Sequence, residues 1–198
     1  MKLIYHKDEK EIVQGCLQAD PLAQEKLYHR YSRKMFGVCL GYAKSESSAK
    51  DLLQEGFIKV FKNLHQYDGT GSLEGWIRRT IVNSNIDQYR KEQRRVKTSE
   101  LIPDQIDPTE ELVVDNNALK TIEVDDFLRI TQELPDGYRM IMNLYFVEGL
   151  SHPEIAEKLG VSVGTSKSQM AKAKKSLMKK VLPYIDKDLL DQYGKQGS

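Results

Sequence analysis

Residues 150–173 read LSHPEIAEKLGVSVGTSKSQMAKA, and this stretch predicts two short helices joined by a tight turn. Ser151 and Glu154 have the spacing of a capping box, which marks the start of the first helix. Gly160 is expected to end that helix, because glycine adopts the left-handed conformation at a helix C-terminus without steric cost. The pattern predicts a helix-turn-helix, a motif that presents its second helix to the DNA major groove.

The second helix of this pair is predicted to begin after Ser162, whose hydroxyl can cap it. Apolar residues then recur at three- and four-residue spacing and form one inner stripe. The stripe comprises Val163, Met170, Ala173, Leu177 and Val181. The opposite face carries Thr165, Ser168, Gln169, Lys172 and Lys175. The alternative is an ordinary helical pair, which the small Ala156 at the crossing and the turn at Gly160 disfavour.

The composition is ordinary for a soluble protein of one domain or two small ones. The 198 residues are 39% hydrophobic and 30% charged, and the net charge is +1. No apolar run approaches the roughly 20 residues needed to span a bilayer, and the start MKLIYHKDEK lacks the apolar core of a signal peptide. We therefore expect a cytoplasmic protein with no stable membrane association of its own.

Neither the cysteines nor the histidines have the spacing of a metal site. Cys16 and Cys39 lie far apart among apolar helical residues, so we expect buried free thiols. The four histidines share no HExxH-type spacing with a carboxylate; they are His6, His29, His65 and His152. The sequence therefore predicts no metal and no cofactor.

The small net charge conceals a strong segregation of charge along the chain. Residues 78–97 contain seven basic side chains against only Asp87 and Glu92, and residues 167–180 contain six lysines and no acid. Residues 100–126 carry nine acidic side chains, one lysine and two prolines, which is typical of a flexible linker. Two basic surfaces on either side of an acidic spacer indicate contact with phosphates at two places.

The N-terminal half shows helical periodicity and no period-two alternation long enough for a sheet, so the predicted fold class is all-α. Asp20 and Pro21 form a cap followed by a first-turn proline. The inner stripe that follows is Leu27, Tyr31, Met35, Val38 and Tyr42. Ser48 and Asp51 are predicted to form the capping box of the next helix, AKDLLQEGFIKVFKNL.

That helix is expected to bury Leu53, Phe57, Leu64 and either Val60 or Phe61. Its other side carries Asp51, Gln54, Glu55 and Ile58. Gly69 and Gly71 mark a turn, and a basic helix follows from Ser72 to about Arg95. The basic helix is expected to direct Trp76, Ile77 and Ile81 inward. Another side presents Arg79, Asn83, Asp87, Arg90 and Arg94.

Three of these segments together resemble conserved regions of one family. DLLQEGFIKVFKNL (51–64) and SLEGWIRRTIVNSNIDQYRKEQRR (72–95) resemble the second region of bacterial sigma factors, most closely the small extracytoplasmic-function group. LPDGYRMIMNLYFVEGLSHPEIAEKLGVSVGTSKSQMAKAKKSL (134–177) resembles the fourth region of the same group. The C-terminal half also resembles the DNA-binding domain of response-regulator-type activators, so the specific signal is the co-occurrence of both regions.

The resemblance implies a dissociable subunit that directs core RNA polymerase to particular promoters and helps to open them. It implies a region-two-like domain over residues 1–97, the linker over 98–126, a region-four-like domain over 127–183 and a tail over 184–198. Promoter DNA and core RNA polymerase would be its partners, and an inhibitory anti-sigma factor becomes a candidate partner.

The resemblance also assigns three groups of site residues. The core-polymerase-binding group is Asp51, Gln54, Glu55, Phe57 and Phe61. The group for the minus-ten DNA element is Tyr67, Trp76, Arg79, Asn83, Asp87, Arg90 and Arg94. The group for the minus-thirty-five element is Thr165, Lys167, Ser168, Gln169 and Lys172.

Residue chemistry refines these assignments. The spacing of Phe57 and Phe61 favours a core role for both, and a core anchor is the favoured role for Trp76 over base stacking. Gln169 can bond bidentately to an adenine edge, whereas the lysines are better assigned to phosphates. At Ser166 many relatives place valine, and at Gln169 many place arginine.

Two other classes of function agree with parts of the sequence. A stand-alone regulator would bind a symmetric duplex site as a dimer, but a sensor role leaves the basic helix over 72–95 unexplained. An enzyme acting on nucleic acid would need a metal cluster from Asp125, Asp126 and the acids around Glu110, in a segment where acids are usually solvated. We therefore expect a binding protein without covalent chemistry.

Overall fold

The computed structural model describes residues 2–99 and 129–181, with side chains from residue 8 to 95 and from 129 to 181. Every regular element in these ranges is helical, which confirms the all-α class. The chain divides into two compact units, Met1–Arg95 and Val96–Ser198. Residues 98 and 99 of the predicted linker (98–126) belong to α4, which ends at Ser99; the rest of the predicted linker and the tail over 184–198 lie outside the described residues.

The first unit is built from four α-helices and one short 3-10 helix. They are α1 (Lys2–Leu17), α2 (Pro21–Tyr42), α3 (Glu46–Asn63), the 3-10 helix (Leu64–Gln66) and α4 (Leu73–Ser99). Helix α2 packs against both α1 and α3, and the 3-10 helix contacts α1 and α3. Two ion pairs tie α4 to its neighbours, Lys34–Glu74 at 2.7 Å to α2 and Lys59–Asp87 at 3.0 Å to α3.

Helix α2 begins as its sequence predicts, because Asp20 Oδ1 accepts a hydrogen bond from the Leu22 amide at 3.0 Å and Pro21 occupies the first position. The predicted inner stripe is buried except for Val38, which is half-buried. Cys39 lies in the core instead, four residues after Met35 and therefore on the same helical face. Both cysteines are free and buried, which confirms that expectation.

Helix α3 begins three residues earlier than its sequence predicts. Ser45 is the N-cap, because its hydroxyl accepts from the Ser48 amide at 3.2 Å and Ser48 Oγ accepts from the Ser45 amide at 3.0 Å. The predicted capping box of Ser48 with Asp51 is therefore wrong. The reciprocal serine pair satisfies the free amides first, so the helix starts at Glu46.

The buried side of α3 follows the predicted spacing. The buried residues are Leu53, Phe57, Val60 and Leu64. Of the two candidates for the third inner position, Val60 is buried and Phe61 is half-buried. After the 3-10 helix the chain turns at two glycines with positive φ, Gly69 at +79° and Gly71 at +74°, as predicted. In α4, Ile77 and Ile81 are fully buried and Trp76 is half-buried.

In the second unit, the structure describes residues 129–181, and the regular elements of this range are helical. Its described elements are a helical turn over 129–132, α5 (Asp136–Met142), a π-helical turn (Asn143–Val147), α6 (His152–Leu159) and α7 (Val163–Val181). Helices α5 and α6 both pack on α7. Arg139 is buried there, and its Nη1 donates to the carbonyl oxygens of Gln132 and Leu134 at 2.8 and 2.9 Å while Nη2 pairs with Asp136.

Candidate protein and nucleic-acid interfaces

Helix α3 presents a polar row beside an apolar groove. Asp51, Gln54 and Glu55 are all exposed, as their positions predict. The groove runs between α2 and α3, and its lining includes Tyr28, Phe36, Leu53, Gln54, Ile58 and Phe61. A groove of this kind, with a polar rim, suits the docking of another helix.

The two phenylalanines of the predicted polymerase-binding group differ in exposure. Phe57 is 2% exposed, and its ring centroid lies 4.8 Å from that of Tyr28 and 6.1 Å from that of Phe61. Phe61 is half-buried, and the neighbouring Ile58 is 52% exposed. Phe57 therefore supports the groove from below, while Phe61 and Ile58 form part of its accessible surface.

Helix α4 brings five of the predicted minus-ten residues onto one exposed face, as expected. They are Arg79, Asn83, Asp87, Arg90 and Arg94. The spacing of three or four residues places them in one row along the helix. Asp87 is already engaged, because its Oδ2 lies 3.0 Å from Lys59 Nζ of α3. The remaining charges of the row are positive, so the face is suited to phosphates.

The other two minus-ten residues lie together at the start of α4. The rings of Tyr67 and Trp76 have centroids 5.8 Å apart, and both side chains are half-buried. The Tyr67 hydroxyl donates to the Gly71 carbonyl at 3.1 Å, and burial raises the pKa of Tyr67. The loop is further held by Asp68 Oδ1, which accepts from the Thr70 amide and hydroxyl at 2.8 and 2.7 Å. These bonds lower the pKa of Asp68.

Helices α6 and α7 form the predicted helix-turn-helix. The Ser151 amide and hydroxyl both donate to Glu154 Oε2, at 2.8 and 2.6 Å, which lowers the pKa of Glu154. Gly160 ends α6 with φ at +68°. Ser162 then caps α7, because its Oγ accepts from the Thr165 amide at 2.9 Å. Both caps and the turn are as the sequence predicts.

The outer side of α7 carries the predicted minus-thirty-five residues. Lys167 is exposed, and the half-buried members are Thr165, Ser168, Gln169 and Lys172. The Thr165 hydroxyl lies 2.8 Å from Ser162 Oγ, and the Ser168 hydroxyl donates to the Thr165 carbonyl at 3.1 Å. These short contacts fix the side chains of Thr165 and Ser168, next to the exposed Lys167.

The inner stripe of α7 departs from the prediction at its first position. Val163 is 40% exposed, so its assignment to the buried stripe is wrong. It is the first residue of α7, and burial along the stripe begins only at Ser166, which is fully buried. Met170, Ala173, Leu177 and Val181 are buried as predicted.

The hydrogen-bond partner of Ser166 was not predicted from the sequence. The Ser166 hydroxyl lies 3.0 Å from His152 Nδ1, and the His152 ring stacks on Tyr145 with centroids 5.1 Å apart. The signal was available, since a polar residue on a buried stripe requires a hydrogen-bond partner. Exposed apolar side chains continue beside this stack at Phe146 and Val147, and Lys174 Nζ lies 5.9 Å from the centre of the Phe146 ring.

Among the side chains that the structure describes, over residues 8–95 and 129–181, no three from His, Cys, Asp or Glu are grouped so that they could hold a metal ion. The acids proposed for a metal cluster, Asp125, Asp126 and those around Glu110, lie outside these ranges. In the same ranges, no helix has the length and apolar character needed to cross a membrane.

Comparison with known proteins gives two family matches in order along the chain. The family described as Sigma-70 region 2 matches residues 27–95, and Sigma-70, region 4 matches residues 125–177. The RNA polymerase sigma-H factor of Pseudomonas aeruginosa is 25% identical over 194 residues, which cover 92% of this chain and 98% of that protein. The ECF RNA polymerase sigma-E factor of Salmonella typhimurium is 28% identical over 188 residues, which cover 89% and 96%.

The chain is an extracytoplasmic-function RNA polymerase sigma factor. The sigma factor directs RNA polymerase to promoters, and its partners are core RNA polymerase and promoter DNA. It is not an enzyme, so the hypothesis of a nucleic-acid enzyme is wrong. Among solved structures, it is similar to the sigma factor RpoE in complex with the anti-sigma factor NepR from Bartonella quintana, with 20% identity and a TM-score of 0.46 over 79% of this chain and 95% of that chain.

Proposed function

We propose that the two units divide promoter recognition between them. Residues 1–97 bind core polymerase and recognise and melt the minus-ten element, and residues 127–183 read the minus-thirty-five element. The observation that carries this division is the exposed row on α4, where five predicted DNA-binding residues share one face while α3 offers a separate polar row and groove.

Core polymerase docks on α3 and on the groove beside it. Asp51, Gln54 and Glu55 provide exposed polar contacts at the rim. Phe57 acts indirectly, by supporting Tyr28 and Phe61 in the groove. An amphipathic helix of the polymerase would place its apolar side in the groove and its polar side against the rim.

The minus-ten element is held as unstacked single strand. Arg79, Arg90 and Arg94 follow the backbone, because a row of guanidinium groups provides the cationic groove that single strands require. Asn83 and the loop that contains Tyr67 contact the bases, and Trp76 supports that loop through its ring contact with Tyr67. Unstacking costs a few kcal/mol per base step, so part of the binding energy is used to open the duplex.

The minus-thirty-five element is read as duplex by α7. Lys167 and Lys172 contact phosphates and position the helix, whereas Gln169 reads a base edge in the major groove. Thr165 and Ser168 complete the contact surface on the same side of the helix.

Core polymerase is needed to hold the two units at a fixed separation, because the composition of residues 100–126 predicts a flexible connection. Free sigma factor should therefore bind promoter duplexes weakly. The sigma factor is proposed to act in the cytoplasm, and an anti-sigma factor stays a prediction from the family resemblance.

The decisive experiment is abortive transcription by purified core polymerase on a library of promoter-length duplexes, with and without this protein. Initiation that depends on the protein and selects a two-part promoter would support the proposal. Tight, specific duplex binding by the free protein in a gel shift, without stimulation of polymerase, would contradict it and favour a dimeric regulator.

A further inference from the structure

A hydrogen bond joins the two helices of the helix-turn-helix, on the inner side of α7 where the other buried contacts are apolar. Ser166 is fully buried on the inner stripe of α7, and its Oγ lies 3.0 Å from Nδ1 of His152, the first residue of α6. Among the described residues, this hydroxyl has no other hydrogen-bond partner. Tyr145 stacks on the imidazole with an interplanar angle of 27°, so the ring is held by two contacts.

The contact lies next to the side chains assigned to DNA. Ser166 stands between Thr165 and Lys167, both in the proposed minus-thirty-five surface. A buried hydroxyl that loses its partner is costly, so the first turn of α7 is expected to sit where Ser166 reaches His152. A shift of that turn would move Thr165 and Lys167 relative to the base pairs.

We propose that His152 is a positioning residue for minus-thirty-five recognition, which in its neutral form holds the Ser166 hydroxyl and thereby fixes the start of α7 against α6. The inference rests on the proposed role of α7 in reading DNA. His152 needs no contact with a base, because it acts through Ser166.

The contact depends on the protonation of the ring. With its proton on Nε2, neutral imidazole accepts the hydroxyl proton at Nδ1. Imidazolium donates from both nitrogens, so the Ser166 hydroxyl must then accept at Oγ and direct its own buried proton to another acceptor. The groups that face the ring are Tyr145 from the π-helical turn and Ser166, Lys167 and Lys174 from α7. Burial first, and then the charges of Lys167 and Lys174, lower the pKa of His152. The ring is therefore neutral at physiological pH and becomes charged only in acid.

Acid should reduce sequence discrimination while leaving the attraction to phosphates intact, since protonation adds positive charge to the surface. The test uses holoenzyme assembled from core polymerase and full-length sigma factor, with two promoter duplexes that differ only in a native or scrambled minus-thirty-five element. The measured quantity is the ratio of the two affinities over a pH series that starts at about 7.5 and extends well below the usual histidine pKa, because the pKa of His152 is lowered.

Four variants complete the design. His152→Asn keeps a hydrogen-bonding atom near the Nδ1 position without titrating, so we expect it to retain discrimination and lose its pH dependence. His152→Phe and Ser166→Val each remove one partner and should lower discrimination several-fold. The double variant removes both polar groups and should recover discrimination across the pH series, because paired removal leaves no unsatisfied buried atom.

Additive effects of His152→Phe and Ser166→Val, or the same pH profile for the wild type and His152→Asn, would overturn the positioning role. Wild-type holoenzyme without any discrimination at about pH 7.5 would overturn the minus-thirty-five role of α7 itself, and this inference with it. Discrimination that is present but insensitive to pH and to these variants would overturn the inference alone.

Discussion

A Cβ atom on Gly56 of α3 would lie 2.8 Å from Cγ1 of Ile81 in α4. Glycine therefore allows the two helices to approach as closely as they do, with Ile81 fully buried at the crossing. The same two helices carry the proposed polymerase-binding row and the minus-ten row. Their spacing at Gly56 sets the distance between the two proposed surfaces.

Gly56→Ala is expected to destabilise the first unit by about 1–3 kcal/mol, because the added methyl group overpacks a full core. Urea unfolding followed by the fluorescence of Trp76, the sole tryptophan, reports on this unit. The matched control is Gly37→Ala in α2, where a Cβ atom meets nothing within 4 Å. That change should stabilise by about 0.5–1 kcal/mol through helix propensity. Equal effects of the two substitutions would contradict the packing argument.

Glu55→Lys is expected to weaken binding to core polymerase by about tenfold, because it reverses a charge within the exposed polar row of α3. Glu25→Lys makes the same substitution at an exposed position of α2, outside the lining of the apolar groove, and should leave affinity unchanged. Fluorescence anisotropy of labelled sigma factor, titrated with core polymerase, measures the affinity of each variant. An equal loss of affinity in Glu55→Lys and Glu25→Lys would show that the change in net charge weakens binding, and not the loss of a contact in the polar row of α3.

Arg90→Gln is expected to weaken holoenzyme binding to a fork with a single-stranded minus-ten element. If the guanidinium group contacts a phosphate, the slope of log affinity against log salt concentration should fall in magnitude by about 0.7. Lys26→Gln removes the same charge from an exposed position of α2 and serves as the control. An unchanged slope for Arg90→Gln would show that Arg90 does not contact a phosphate.

Gln169→Ala and Lys167→Ala should weaken DNA binding in different ways, the first at the preferred sequence and the second at all sequences. Loss of a base contact at Gln169 should cost about 1–3 kcal/mol on the preferred sequence and relax preference at one base pair. Loss of Lys167 should weaken all sequences alike, since phosphates are the same in each. Holoenzyme binding to promoters with single substitutions in the minus-thirty-five element distinguishes them. A uniform effect from Gln169→Ala would reassign that residue to the backbone.

The two thiols should be nearly inert in the folded protein. Burial raises the pKa of Cys16 and of Cys39 to about 11, so about one thiol in a thousand is thiolate near pH 8. A thiol-reactive dye should label native protein far more slowly than protein in urea. Because folding favours the neutral thiols, their contribution to stability is full below the ordinary thiol pKa and is lost as pH rises towards 11. Rapid labelling of the native protein would contradict this burial.

The sequence predicted the elements whose signals are local. The Asp20 cap, the turn at Gly69 and Gly71, the capping box at Ser151 and the ending at Gly160 each depend on a few neighbouring residues. Periodicity also predicted the exposed row on α4, because the helical repeat alone determines which side chains share a face.

Where nearby residues suited the same structural role equally well, the packing of the folded chain decided between them. Ser45 and Ser48 both qualify as caps, and the reciprocal bonds between them selected Ser45. Val38 matched the repeat of α2 but is half-buried, whereas the neighbouring Cys39, which was expected to be buried, lies in the core. Val163 matched the repeat of α7 but lies in its first turn, before burial of the stripe begins at Ser166.

By itself, the sequence determined the all-α class, the order of the two sigma regions and the faces on which the proposed site residues lie, because these follow from short-range spacing. Only the tertiary structure decided the close approach of Gly56 to Ile81 and the hydrogen bond between His152 and Ser166. Both relationships join residues on different helices. Their distance depends on how whole helices pack, which no local pattern specifies.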